Sequence, residues 1–150
     1  MRYLVLLFLL ISWTATETAR GRVITVTDGD TITILTTKNT QEKIRLLDID
    51  APERNQSYYE KSRQFLSNMV AGKTVRVVYK DRDRYGRILG IVYVGRKNVN
   101  EEMIKAGLAW NYHYSTNKKY ADLEAEAKRK KLNIFSERNP TNPYNFRNRR

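Results

Sequence analysis

The sequence predicts a small α+β domain in which about five short strands form one curled or closed sheet with three helices beside it. Three observations carry this prediction. Apolar and polar residues alternate in five separate runs, the period becomes helical after Gln56 and again from Asn100, and turn residues separate the runs. With 150 residues, 41% of them hydrophobic, the chain can bury one core but not comfortably two.

The first segment, MRYLVLLFLLISWTATETAR, carries Arg2 and then an apolar run from Tyr3 to Trp13. That run is short for a membrane span and fits a signal-peptide core, so residues 1–19 read as an export signal or as an uncleaved anchor. Ala15 and Ala19 are the candidate cleavage positions. The mature chain then has no membrane span and ends up secreted or periplasmic. Strands follow at RVITVT (22–27), TITILT (31–36) and EKIRLLDI (42–49), the last after a polar turn at Lys38 to Gln41. Consecutive short strands suggest a meander.

From Gln56, residues Tyr58, Ser62, Phe65, Leu66 and Met69 share one helical face, and Gly72 is a stop signal. KTVRVVYK (73–80) and RILGIVYV (87–94) are again strands, joined by the charged stretch DRDRYG. A second helix is expected from Asn100, as cap, to Gly107, with Glu101 and Glu102 favourable in its first turn. A third runs through KYADLEAEAKRKKL, with Tyr120, Leu123 and Ala127 facing the core and its basic end where the helix dipole favours it. KRKK at 128–131 reads as a solvated helix end. The tail, 140–150, is basic and rich in Pro and Asn, and reads as a surface or loosely ordered segment. Closing the sheet is the economical way to remove its edges.

The chain has 28 Lys and Arg against 16 Asp and Glu, a formal net charge of +12. Such an excess draws polyanions at long range and favours nucleic acid over an anionic membrane or an acidic glycan. The absence of cysteine excludes disulfides, thiolate zinc sites and thiol nucleophiles. The one histidine, His113, lacks partners for a transition-metal site and reads as a surface or rim residue. Chemistry must come from carboxylates, arginines, hydroxyls or a hard metal ion.

The carboxylates fall at strand ends: Asp28 and Asp30 before one strand, and Asp48, Asp50 and Glu53 in RLLDIDAPE. Converging strand ends can offer several oxygens to one hard cation. The plainer readings are a tight turn for Asp28 and Gly29, a turn or cap for Asp30, and a proline-fixed bend at Ala51-Pro52. Arg45 interrupts an apolar run and is hard to explain otherwise, while Arg87 reads equally as a solvated strand-edge charge. A cation and two guanidiniums are what neutralising a phosphoryl transition state needs. Arg45 and Asp50 are five residues apart, so a bend must lie between them if both face one phosphate.

In order along the chain, VTDGDT, RLLDIDAPE, DRYGR, VNEEMIKAGLAW and AEAKRKKLNIFSERNP resemble the staphylococcal-type thermonuclease family over essentially Arg22 to Asn139. The resemblance implies a five-stranded OB-fold β-barrel with about three helices, and a nuclease domain spanning 20–139. It also implies calcium-dependent hydrolysis of DNA and RNA to 3′-phosphorylated products, acting on single strands by preference and as a monomer. Carried over by position, Asp30, Asp50 and the Ala51 carbonyl would bind one Ca²⁺. Glu53 would activate water, and Arg45 and Arg87 would clamp the scissile phosphate. Arg84, Tyr85, Tyr112 and Tyr114 would contact the nucleic acid by charge, stacking and hydroxyl bonds; for the tyrosines, core or rim packing is the competing reading.

Departures from the family pattern are Ala51, where threonine is common, and a short segment RNQSYYEKSRQ after Glu53. The competing function is a non-catalytic OB-fold module for single-stranded nucleic acid. Such a binder has no use for carboxylates facing a polyanion, since they weaken binding unless a cation neutralises them.

Overall fold

Strand β1 (Glu17–Asp28) runs into the Gly29-Asp30 turn and returns as β2 (Thr31–Thr36), whose alternation sends Ile32 and Ile34 fully into the core. The structure, a computed structural model, describes residues 15–149. Strand β3 (Gln41–Leu46) pairs antiparallel with β2 and stops at a turn in which Asp48 takes a positive φ of 62°. There follow β4 (Ile49–Asp50), α1 (Tyr59–Val70), β5 (Thr74–Arg82), β6 (Ile88–Val94), β7 (Lys97–Asn98), α2 (Val99–Lys105), β8 (Trp110–Asn111), α3 (Lys118–Arg129), a 3-10 turn at Asn133–Ser136 and α4 (Pro143–Arg147).

The five long strands lie in the order β3-β2-β1-β5-β6, and a parallel pairing of Ile44, Arg45 and Leu46 with Ile88, Leu89 and Gly90 closes them into a barrel. This is the five-stranded, α+β OB-type architecture the sequence predicts. Register shifts in β1 after Val23 and Val26, and in β5 after Tyr79, supply the curl that closure needs. Inside sit Ile32, Ile34, Ile44, Leu46, Val75, Val77, Ile88 and Val92, capped by Leu66 and Val70 of α1 and Met103 and Ile104 of α2. Each such side chain contributes about 1.5–3 kcal/mol by leaving water. A second cluster, Trp110 edge-on to Phe135 at 4.8 Å with Ala127 and Ile134, seats α3 and the 3-10 turn.

Three local readings are refined. Strand β1 begins at Glu17 rather than Arg22, and Glu17, Thr18 and Ala19 pair with Tyr79, Val78 and Val77. Cutting after Ala19 would remove three rungs of the barrel, whereas Ala15 lies outside it; residues 1–14 of the expected signal lie outside the described residues. Helix α2 is capped by Asn98, not Asn100: the Asn98 side chain accepts from the Glu101 amide at 3.1 Å and donates to the Glu101 carboxylate. Asn100 is instead fully buried, for a reason given below. Finally, the tail is ordered: Asn142 caps α4, Pro143 takes its first position and is buried, and Gln56 donates to the Thr141 carbonyl at 2.5 Å.

Candidate active site

Strand ends do converge. A cleft of about 780 Å³ is lined by Asp28, Asp30, Arg45, Glu53, Arg84, Tyr85, Arg87, Tyr112, Tyr114 and Arg147, among others. Barrel closure explains why both arginines face it. Arg45 sits opposite Leu89, and Arg87 is two residues before Leu89, so the period of two puts both side chains on one side of the sheet. The bend required between Arg45 and Asp50 is the Leu47-Asp48 turn. With β4 folded back, the Arg45 guanidinium reaches Asp50 at 3.3 Å and Asp30 at 3.3 Å, and also donates to the carbonyls of Leu46 and Ile49.

That turn is held from behind by Asn100. Its amide donates to the carbonyls of Leu47 at 3.0 Å and Gly90 at 3.1 Å, and its oxygen accepts from the Val92 amide. The turn is held from the front by β8, which pairs with β4, and by the Tyr112 amide on the Asp48 carbonyl. This pairing delivers Tyr112 to the cleft wall. The Asp30 turn is seated just as tightly: a Cβ at Gly29 would fall 1.9 Å from Ser62 Oγ on α1, so glycine is required by close approach.

Asp30 accepts from the Ala51 amide at 2.8 Å and from the Thr31 hydroxyl. Ala51 thus lies against Asp30 through its backbone amide. Asp28 does act as the turn residue, accepting from the Asp30 amide, but it is also a third member of the acidic cluster. Burial, and then the neighbouring Asp30, push the Asp28 carboxyl up to about 7. Burial also raises Asp50, whose side chain is 1% exposed, with repulsion from Asp30 opposed by Arg147 and Arg45. Against the upward pull of burial, the bonds from Arg87 hold Asp83 below the ordinary carboxylate range; Arg87 Nε lies 2.7 Å from it.

Among the described residues no three acidic or histidine side chains stand ready-made around one point. The donor chemistry nevertheless fits a hard cation. Asp28 and Asp50 each feel Asp30 in a partly buried site, all three are hard oxygen donors, and the repulsion from Asp30, which adds to burial in raising Asp28 and Asp50, is what a cation would relieve.

At the rim, Tyr85 is 69% exposed and takes a bond from Arg84, with both Arg84 and Arg87 over its ring. Tyr112 and Tyr114 stand edge to face at 5.8 Å, Tyr114 being 63% exposed, which is rim and not core packing. His113 is exposed and stacks on Tyr144 at 4.2 Å. Two features went unread in the sequence: Arg147, which reaches Asp50 and Glu53, and Asn100 as a buried bolt. The Asn142-Pro143 pair with an arginine in the last turn was the available signal for α4. A wider groove of about 1010 Å³, past Arg54, Lys61 and Arg63, contains a single carboxylate, Glu60, and no comparable cluster.

Residues 43–137 match the family model described as staphylococcal nuclease homologue. Among similar proteins is one named an uncharacterized endonuclease from Haemophilus influenzae, 40% identical over 145 residues, covering 96% of this chain and 82% of the relative. An uncharacterized endonuclease of Escherichia coli is 41% identical over 99% of both chains. A micrococcal nuclease of Shigella flexneri is 36% identical over 93% of this chain and 86% of its own. The chain therefore belongs to the family of staphylococcal nuclease homologues, a membership that supports nucleic-acid hydrolysis as its class of activity.

Proposed function

We propose that the protein is an exported, calcium-dependent, sugar-nonspecific nuclease that hydrolyses DNA and RNA to 3′-phosphorylated products. The observation that carries this reading is the convergence of Asp30, Glu53, Arg45 and Arg87 at one cleft of a strongly basic chain, with Asp50 buried beneath it against Arg45. Asp30, Asp50 and the Ala51 carbonyl are the residues that would hold one Ca²⁺. When bound, the ion supplies the positive charge that lets a carboxylate base and a phosphodiester share one site.

The remaining work falls to the chain. Glu53 takes the proton of the attacking water, and the cleft positions that water for in-line displacement. Arg45 and Arg87 donate N–H bonds to the non-bridging phosphate oxygens, where charge grows in the transition state. Both guanidiniums are preorganised, Arg45 by two backbone carbonyls and Arg87 by Asp83, so little ordering remains for the reaction step. Tyr85, Tyr112, Tyr114 and Arg84 form the rim on which a base and a flanking phosphate rest. Unstacked bases can use such a rim, which favours single strands. Export rests on the amino-terminal apolar run, and an exported barrel without cysteine relies on its core rather than on disulfides; among the described residues no helix is long and apolar enough to cross a membrane.

The test is cleavage of single-stranded DNA and RNA by the purified chain, with calcium and with a chelator, followed by end-group analysis. Calcium-dependent products bearing 3′-phosphates are expected. Salt-sensitive binding without cleavage across divalent metals would replace this reading with the binding-module one.

A further inference from the structure

We propose that α4 is an internal latch: Arg147 takes the carboxylates that serve the cation and the general base, while Tyr144 takes the aromatic rim that serves a nucleobase. The proposal rests on the metal-dependent reading above. Arg147 is fork-to-fork on Asp50, at 3.0 and 2.9 Å, and its Nη1 lies 2.6 Å from Glu53. These partners are 97 and 94 residues away in sequence, so the chain terminus folds back specifically onto the site. Tyr144, one helical turn earlier, stacks on His113 with ring planes 5° apart and shares a 2.8 Å hydroxyl contact with Tyr114.

Both contacts are at odds with turnover. A carboxylate that must accept a proton is here capped by a guanidinium, which keeps its own proton at any physiological pH. Bonds to Asp50, then to Glu53, overcome the burial of Arg147 and raise it further. The two carboxylates can be freed only by moving the side chain. Movement is feasible, because the Arg147 side chain is 37% exposed and α4 has only five residues. The Asn142 cap and the Gln56 bond to Thr141 lie upstream of Arg147, so its side chain can leave the two carboxylates without unseating the barrel.

A divalent cation has the advantage in this competition. It brings two positive charges to Asp30 and Asp50, whereas Arg147 brings one to Asp50 and Glu53. If the latch is closed in about nine molecules of ten, the apparent calcium affinity falls roughly tenfold relative to an unlatched chain. A site of this kind would stay idle at low calcium and open when calcium and a nucleic acid strand arrive together.

The test is calorimetric titration of the chain with calcium chloride, without nucleic acid, comparing the parent with Arg147→Ala, Arg147→Lys and Tyr144→Ala at matched thermal stability. Arg147→Ala should tighten calcium roughly tenfold, Tyr144→Ala by less, and Arg147→Lys should fall between parent and alanine. In ¹H–¹⁵N spectra the Arg147 Nε–H signal of the parent should move to the free-arginine position as calcium is added. Equal calcium affinities and an unmoved Arg147 signal would overturn the latch and leave the nuclease reading standing. Failure of every variant to bind a divalent cation would remove the calcium reading and the latch with it.

Discussion

Asn100 donates through its side chain to the Leu47 carbonyl, 3.0 Å away, and thereby pins the turn that brings Asp50 beside Arg45. The same amide bonds Gly90, and its oxygen takes the Val92 amide, so one buried side chain ties the barrel-closing strand to the site.

Replacing Asn100 with alanine should therefore damage both stability and activity. Three backbone groups, two of them buried, would lose a partner at once, and we expect a loss of about 3 kcal/mol in urea denaturation. Nuclease activity should fall with it, because Arg45 and Asp50 depend on the Leu47-Asp48 turn for their common orientation. A loss under about 1 kcal/mol would mean that water takes over these bonds.

Glu53 behaves differently, since it sits at the cleft rim and its removal leaves no buried group stranded. Glu53→Gln should lower kcat by roughly 10²–10⁴-fold, the usual worth of a general base, with the melting temperature nearly unchanged. Arg87→Lys should cost activity through the lost fork geometry on phosphate while keeping a charge on Asp83. Comparable melting curves with steady-state rates check both; a Glu53→Gln chain of undiminished rate would remove Glu53 from the reaction.

Arg45 is structural and functional at once. Its guanidinium is the shared partner of Asp30 and Asp50, whose side chains are 10% and 1% exposed. Arg45→Ala in chelator should destabilise the fold by about 3–5 kcal/mol, as expected when one member of a buried ion cluster is removed. The deficit should depend on pH. Burial already raises Asp50, so this group favours the fold below its ordinary pKa of 3.8 and loses that contribution as pH climbs through the raised value. Taking away Arg45 raises it further, so the deficit should be smallest at acid pH, where Asp50 is protonated, and grow as pH rises and Asp50 ionises. Denaturation at several pH values reads this directly.

The sequence announced the barrel because its strands alternate in plain view, as in TITILT, where every second residue meets the core. The motifs that carry the family resemblance single out Asp30, Arg45, Asp50, Glu53 and Arg87, and the cleft brings Asp30, Arg45, Glu53 and Arg87 together with Asp50 buried beneath. Asn100 was misread because two asparagines, at 98 and 100, both precede the acidic turn of α2, and only packing decides which one caps. Asp28 was read as a turn former alone, which local geometry justified; its proximity to the buried acidic pair is a tertiary fact. Arg147 was illegible for the same reason: nothing local tells a basic tail that its partner lies 97 residues upstream.

Asp28 offers the sharpest pH signature. Its carboxyl is raised to about 7, chiefly by burial and then by Asp30, so ionising it costs the folded protein. A group raised on folding stabilises fully below its ordinary pKa of 3.8, and this contribution disappears as pH rises through about 7. Asp28→Asn keeps the turn, because the amide oxygen can accept from Asp30 N–H as the carboxylate does. The variant should thus gain stability over the parent at pH 8 in chelator and gain little at pH 4. Asp28 retains some contact with water, so we expect about 1–2 kcal/mol rather than the roughly 4 that the full shift would imply. Calcium should narrow the difference, since a cation beside Asp30 relieves the same repulsion in the parent. Chemical denaturation of both chains at pH 4 and pH 8, with and without calcium, decides it: equal stabilities at pH 8 would show that Asp28 carries no buried charge.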